Sequence, residues 1–259
     1  MDLKLAGRSV LVTGASKGIG LACAQWFARE GCALRLAARS GDLLREAAAA
    51  IREESKVDVQ TFALDLSTEA GRRSLMQACD DVDILINNAG DIPAGSIEDI
   101  DDAAWRAGWD LKVFGYIGLT RHYLAKMKAR RRGVIVNVIG TAGERPLASY
   151  VAGSMGNASL MSFTVALGVA SPAYGVRVLG VNPGPTLTDR VLKITKKRAA
   201  QALGDAGRCQ ELMANYPFGR PASCDEVAAS VVFLASDLSA YTSGTIVTID
   251  GGFARRGAL

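Results

Sequence analysis

The chain predicts a doubly wound α/β fold, a largely parallel sheet with helices on both faces. Three observations carry this. Short apolar, β-branched runs alternate with helix-length amphipathic stretches from end to end. Several of these runs are apolar throughout, as parallel strands covered on both faces must be. A glycine-rich turn, Thr13-Gly14-Ala15-Ser16-Lys17-Gly18-Ile19-Gly20, joins the first run to the first helical pattern.

In order, the strands are predicted over residues 8–13, 33–37, 57–64, 84–87, 134–138, 176–181 and 245–249. Helices are predicted over 21–30, 42–54, 102–129 and 225–235, among others. No repeat, low-complexity tract or linker interrupts the 259 residues, so a single domain over 1–259 is expected. The segment 187–217 breaks the strand–helix rhythm with a basic run, Lys193 to Arg198, and apolar Leu203, Leu212 and Met213. It reads as a substrate lid, or as surface helices with a solvated basic face.

Composition narrows the function classes. Apolar residues make up 49% and charged residues 22%, ordinary for a globular protein. A net charge of +4 admits small anionic ligands without arguing for nucleic acid. No apolar run reaches membrane-spanning length, and no secretory leader is expected at the start. The cysteines (Cys23, Cys32, Cys79, Cys209, Cys224) are odd in number and lack CxxC spacing. A reducing, cytoplasmic setting is therefore expected, with no disulfide framework and no metal site.

The glycine turn suits a pyrophosphate. Glycines let backbone approach the anion, and the following helix offers free N–H groups and a positive dipole end. Its GxxxGxG spacing differs from the commonest dinucleotide fingerprint. The second strand ends Leu36-Ala37-Ala38-Arg39, without the acid that holds a ribose 2′-hydroxyl in NAD enzymes. Arg39 and Lys17 instead suit a 2′-phosphate, so the expected cofactor is NADP(H).

These residues resemble the short-chain dehydrogenase/reductases, and the resemblance runs along nearly the whole chain. The turn at 13–20 matches the family's cofactor loop. Asp65-Leu66 is similar to the acid that meets the adenine, and Asn87-Asn88-Ala89-Gly90 to the NNAG element beside the cofactor cleft. Asn182-Pro183-Gly184-Pro185-Thr186-Leu187-Thr188 resembles the turn that holds the carboxamide. The resemblance implies a Rossmann-type domain in homotetramers or dimers. It also implies cofactor contacts from Gly14, Ser16, Lys17, Gly18, Ile19, Gly20, Arg39, Asp65, Leu66, Asn87, Ala89, Gly90, Pro183, Gly184, Thr186 and Thr188.

The same resemblance exposes a departure. The family moves a hydride between nicotinamide and a carbonyl or alcohol carbon, with a serine, a tyrosine, a lysine and an asparagine handling the proton. Counted from Gly143 and Gly115, those positions hold Gly140, Gly153, Asn157 and Lys112. A second register places the tyrosine at Tyr150, with Ser154 where the lysine stands. Candidate catalytic residues are therefore Tyr150, Lys112, Asn157 and Ser154. Lys112 and Asn157 have exchanged residue types, so a cation could still reach the ribose. Gly153 and Gly156 leave space for a deeper pocket or for close helix packing.

Two function classes follow: an NADP(H)-dependent oxidoreductase with a rebuilt proton-transfer site, acting on a small carbonyl or alcohol, or a cofactor-binding protein without turnover that acts as sensor or oligomer partner. A hydrolase reading of Ala152-Gly153-Ser154-Met155-Gly156 fails because the single histidine, His122, precedes the serine.

Overall fold

Seven strands line up in parallel in the order β3-β2-β1-β4-β5-β6-β7 in the computed structural model, which describes residues 2–256. Met1 and residues 257–259 of the expected 1–259 domain lie outside the described residues. The strands are β1 (Ser9–Thr13), β2 (Ala33–Ala38), β3 (Val59–Ala63), β4 (Ile84–Asn87), β5 (Gly133–Val138), β6 (Val176–Pro183) and β7 (Ile246–Ile249). Each agrees with its predicted run to within two residues, and the doubly wound sheet is the fold the sequence predicts.

Alternate residues of one strand feed two cores. Val10 and Val12 of β1 join one buried cluster and Leu11 the other. The first face carries α1 (Gly18–Arg29), α2 (Gly41–Ser55) and α9 (Cys224–Ala235). Small residues Ala22, Cys23, Ala24 and Ala28 bring α1 close to the sheet around a fully buried Phe27. The second face carries α3 (Glu69–Ala78), α4 (Asp102–Trp109), α5 (Gly115–Arg130) and α6 (Val151–Ala170). Leu75, Leu119, Tyr123 and Met127 fill that core.

The predicted helix over 102–129 is not continuous. Residues Asp110–Phe114 form one π-helical turn between α4 and α5. The extra residue per turn rotates the side chains there, a distortion found mostly at functional positions. Trp109, the last residue of α4, donates its Nε1 to Ala152 O of α6 at 2.9 Å, and Val113 of the turn lies against Gly156, where an added Cβ would stand 3.3 Å from it. Gly156 therefore serves close helix packing.

Segment 187–217 folds as α7 (Asp189–Leu203) and α8 (Cys209–Met213). Lys193, Lys196, Lys197 and Arg198 are exposed, in keeping with a solvated basic face. No helix among the described residues is long and apolar enough to cross a membrane.

Helix α9, against which α1 packs, ends on a half-buried cation. Arg177 of β6 donates to the carbonyls of Leu234 (2.7 Å), Ser236 (2.9 Å), Ala235 (3.1 Å) and Thr242 (3.3 Å). These include last-turn acceptors that have no intrahelical partner, at the negative end of the helix dipole. Arg177→Met strands them. The expected loss is about 3 kcal/mol, the upper range for charged hydrogen bonds, measured by urea denaturation of the variant against the native protein.

Candidate active site

The cofactor loop sits where the strand order reverses, between β1 and β4, the position at which open α/β sheets take their ligands. Gly14 N donates to Ala37 O at 2.7 Å and anchors the loop to β2. Gly14 (φ +67°) and Gly18 (φ +58°) adopt left-handed conformations that side chains disfavour. A Cβ on Gly20 would lie 2.3 Å from Gly14 O. Helix α1 opens from Lys17 with no side chain capping it, which leaves its first N–H groups to an anion. Ser16 and Ile19 are half-buried on the same turn.

Two side chains hold that turn to β4. Thr13 Oγ1 accepts from Asn88 N (2.9 Å) and Ala89 N (3.0 Å), while Asn88 Nδ2 donates to Thr13 O (2.9 Å) and Gly14 O (3.3 Å). Asn87 points elsewhere. Its Nδ2 donates to Thr120 Oγ1 and Asn137 Oδ1 inside the sheet, which places its side chain in the scaffold and not at the cleft. The side chain is fully buried with both amide protons engaged, and its Oδ1 is left without a donor.

At the outer edge, Arg39 faces Asp91 at 3.6 Å and Lys17 faces Asp189 at 3.9 Å. Both pairs are exposed and weak, so a bound phosphate can replace them. No carboxylate stands at the end of β2. Asp65 is exposed, and hydrogen bonds from the backbone and hydroxyl of Ser67 hold its carboxyl below the usual range; Leu66 beside it is buried. Across the cleft, Pro183 ends β6 and Gly184 packs on Asp250, where a Cβ would meet that side chain at 2.6 Å. Thr186 donates to Gly184 O, and Thr188 caps α7 while its methyl faces Gly18.

The four catalytic candidates take different places. Tyr150 is the residue before α6, at φ −149° and ψ 41°, so the N-terminal lean of helical side chains does not bind it. Its ring folds over Gly153: the hydroxyl-bearing carbon lies 2.0 Å from where a Cβ at 153 would stand. Gly153 is thus the floor under a tyrosine supplied from three residues upstream. Burial raises the Tyr150 pKa, and the Arg190 guanidinium beside it pulls the other way without reversing the shift. Arg190, in the first turn of α7, lies 6.0 Å from the ring centroid and pairs with Asp91 and Ile92 O.

Lys112 lies on the π turn. Its Nζ donates to Ile139 O at 2.5 Å, and its stem runs along Gly90, where a Cβ would come within 2.9 Å of Cδ. Burial, with a further push from Arg190, lowers its pKa to about 7. Asn157 is 3% exposed; its Nδ2 lies 3.0 Å from a Cβ position on Gly140, and its Oδ1 is buried with no donor. Ser154 does not join them. Its hydroxyl accepts from Leu147 N at 3.0 Å and pins the preceding loop, an anchoring role.

Gly140 carries no side chain, and its backbone shows why. It sits at φ +133°, a region that side-chain-bearing residues rarely enter. Its N–H donates to Asn182 Oδ1, and Asn182 Nδ2 donates to Glu144, which also takes the Thr248 hydroxyl. Arg190, Asp91, Glu144 and Asn88 were not singled out from the sequence. Only Asn88 carried a signal there, as part of the NNAG run. The lone His122 pairs with Asp80 away from these groups.

The known proteins agree with this architecture. The family model for short chain dehydrogenases matches residues 8–199, and the chain belongs to that family. It is 33% identical to the uncharacterized oxidoreductase YvrD of Bacillus subtilis, over 98% of this chain and 99% of that one. It is also 33% identical to the cis-4-hydroxycyclohexanecarboxylate dehydrogenase of Sinomonas cyclohexanicum, with the same coverage. The crystal structure of L-sorbose reductase from Gluconobacter frateurii with NADPH and L-sorbose superposes with a TM-score of 0.91 at 33% identity, covering 99% of this chain and 100% of the reductase. This is an oxidoreductase of the family by sequence and by fold.

Restoring the family's serine by Gly140→Ser forces a side chain into a glycine-only conformation. It is expected to cost about 1–3 kcal/mol of stability. Gly153→Ala, which drives a Cβ into the Tyr150 ring, is expected to cost a similar amount, about 1–3 kcal/mol. Thermal and urea unfolding of both variants measure this; native-like stability would show that the backbone at 140 or the ring at 150 relaxes freely.

Proposed function

We propose that this protein is an NADP(H)-dependent oxidoreductase that moves a hydride between the nicotinamide and a small carbonyl or alcohol, through a proton-transfer site of non-standard composition. The observation that carries it is the edge of the cleft: two cations, Lys17 and Arg39, and no carboxylate at the end of β2. A 2′-phosphate is the ligand those charges select. The glycine cradle and the uncapped start of α1 suit a pyrophosphate.

When bound, the nicotinamide supplies or receives the hydride. The chain's own groups do the rest. The N–H groups at Gly18 and Ile19 take the pyrophosphate, and Gly184 with Thr186 and Thr188 closes over the carboxamide end. Asn157 Oδ1, a buried acceptor without a donor, would take a ribose hydroxyl. Tyr150 and Lys112 stand as the two groups able to exchange a proton with a substrate oxygen, and α7, whose Arg190 lies beside Tyr150, is the element placed to act as a lid that excludes water. The three relatives named above all carry oxidoreductase names, which lends the non-catalytic alternative no support.

The same reading makes the protein a cytoplasmic homo-oligomer. Ile117, Leu124 and Phe163, half-exposed on the outer faces of α5 and α6, are the surface to be covered. Light scattering on the eluted protein is expected to give a dimer or tetramer mass; a monomer at micromolar concentration removes that part of the reading.

Binding followed by NADPH fluorescence is expected to favour NADPH over NADH by tenfold or more. Arg39→Ala should weaken NADPH by about 10–100-fold, the worth of a charge-assisted contact, and leave NADH nearly unchanged. Equal affinities for the two cofactors overturn the assignment. Turnover is then sought at 340 nm with L-sorbose under NADPH and with cis-4-hydroxycyclohexanecarboxylate under NADP+, beside simple cyclic ketones and alcohols. Cofactor binding without turnover across the panel would leave a binding protein only.

A further inference from the structure

We infer that Lys112 is the proton donor and acceptor of this site, giving its Nζ proton to the carbonyl oxygen in reduction and taking it back from the hydroxyl in oxidation. The inference rests on the oxidoreductase reading above and names the group that reading leaves open.

The geometry comes first. The π turn is a local break in a helix that otherwise runs from 102 to 130, and Lys112 is its central residue. It points its ammonium at Ile139 O, the carbonyl immediately before Gly140. The residue after that carbonyl, Gly140, is the family's serine position, and it carries no side chain to compete for the substrate oxygen. The stem of Lys112 fits because Gly90 is a glycine. The residue as a whole is half-buried, and its amine end is the part enclosed by its neighbours. One protein acceptor holds it, which leaves two of the three ammonium protons for a ligand.

The surroundings set the charge. Arg190 from α7 is the cation that acts on Lys112, and Asp91 after β4 is tied to Arg190 and Arg39. Tyr150 at the head of α6 faces Arg190, and Glu144 beyond β5 is bound to Asn182 and Thr248. Asp110, on the π turn itself, is exposed. Among the described residues no carboxylate forms an ion pair with Lys112. An amine among desolvating neighbours and a second cation loses its proton readily, and a value near the working pH is what proton transfer requires. Tyr150 is shifted away from that range by its own burial.

The step balances. In reduction the hydride reaches the carbonyl carbon from the reduced nicotinamide, the carbon–oxygen π pair moves to oxygen, and oxygen takes one proton from the Lys112 ammonium. The products are an alcohol, the oxidised cofactor and a neutral amine that regains its proton from water. Oxidation runs the same path backward and begins from the neutral amine.

The first test reads Lys112 without turnover. The whole protein, with and without NADP+, is pulse-labelled with acetic anhydride between pH 5 and 10, and acetylation is followed by peptide mass spectrometry. Lys112 is expected to label with a midpoint near pH 7, well below the ordinary lysine value of about 10. A midpoint near 10 overturns the inference. So does no labelling at any pH, because a site closed to this small carbonyl reagent is closed to a substrate. Turnover on any substrate from the panel is the second test. Reduction should fall, and oxidation rise, as pH passes 7. Lys112→Met should cost about 10²–10⁴-fold in kcat and remove that limb, with NADPH binding retained. Tyr150→Phe should keep the limb. Loss of the limb in Tyr150→Phe with its survival in Lys112→Met assigns the proton to tyrosine instead. A labelling midpoint near 7 with no turnover anywhere sinks the oxidoreductase reading and this inference with it, whereas turnover with a midpoint near 10 sinks this inference alone.

Discussion

The hydrogen-bonded knot between Thr13 and Asn88 is the constraint on which the site depends. Thr13 ends β1 and Asn88 follows β4, and these two strands mark the reversal of the sheet order. With no strand crossing above them, their C-terminal ends diverge and open a crevice. Thr13 Oγ1 collects two N–H groups from Asn88 and Ala89, and Asn88 Nδ2 returns to Thr13 O and Gly14 O. The glycine loop is thereby fixed to both strands while the first N–H groups of α1 keep no side-chain cap. The same knot sets the path of residues 89–92, which carry Gly90 beneath Lys112 and Asp91 beside Arg190.

The chemistry end of the crevice is rebuilt as a unit. Gly140 has a backbone conformation that excludes its family serine, and Gly153 is covered by the ring of Tyr150. Asn157 fills the space beside Gly140, and Lys112 reaches the carbonyl before it from the other wall. Each replacement fits its neighbour, so the site is not a family site with side chains deleted. A buried amine is costly unless it is neutralised or used, and four mutually fitted changes around one are consistent with use.

Charge links the two ends of the crevice. Asp91 touches Arg39 at the cofactor edge and Arg190 at the substrate edge, and Arg190 in turn neighbours Tyr150 and Lys112. These are partly exposed contacts of modest individual strength. Their arrangement means that the charge felt at Lys112 depends on where Arg190 is held.

The sequence by itself determined the sheet, the cofactor cradle and the four departures, because these are written in short-range pattern. Period-two and all-apolar runs encode strands, and a glycine turn between strand and helix encodes an anion site. Six of the seven strands were legible to within one residue at their starts, and Arg39 with Lys17 announced the charge of the cleft edge. Only the tertiary structure decided what the departures amount to. The π turn that aims Lys112 is invisible in a pattern that reads as one continuous helix from 102 to 129. Tyr150 lies outside its helix by a single residue, a boundary that no periodicity resolves. Ser154 and Asn87 looked available and are engaged elsewhere, since hydrogen-bond partners 7 to 50 residues away are not a property of local sequence. Arg190 was one cation among several on a basic segment, and the packing of α7 alone turned it inward while its neighbours Lys193, Lys196 and Lys197 face water.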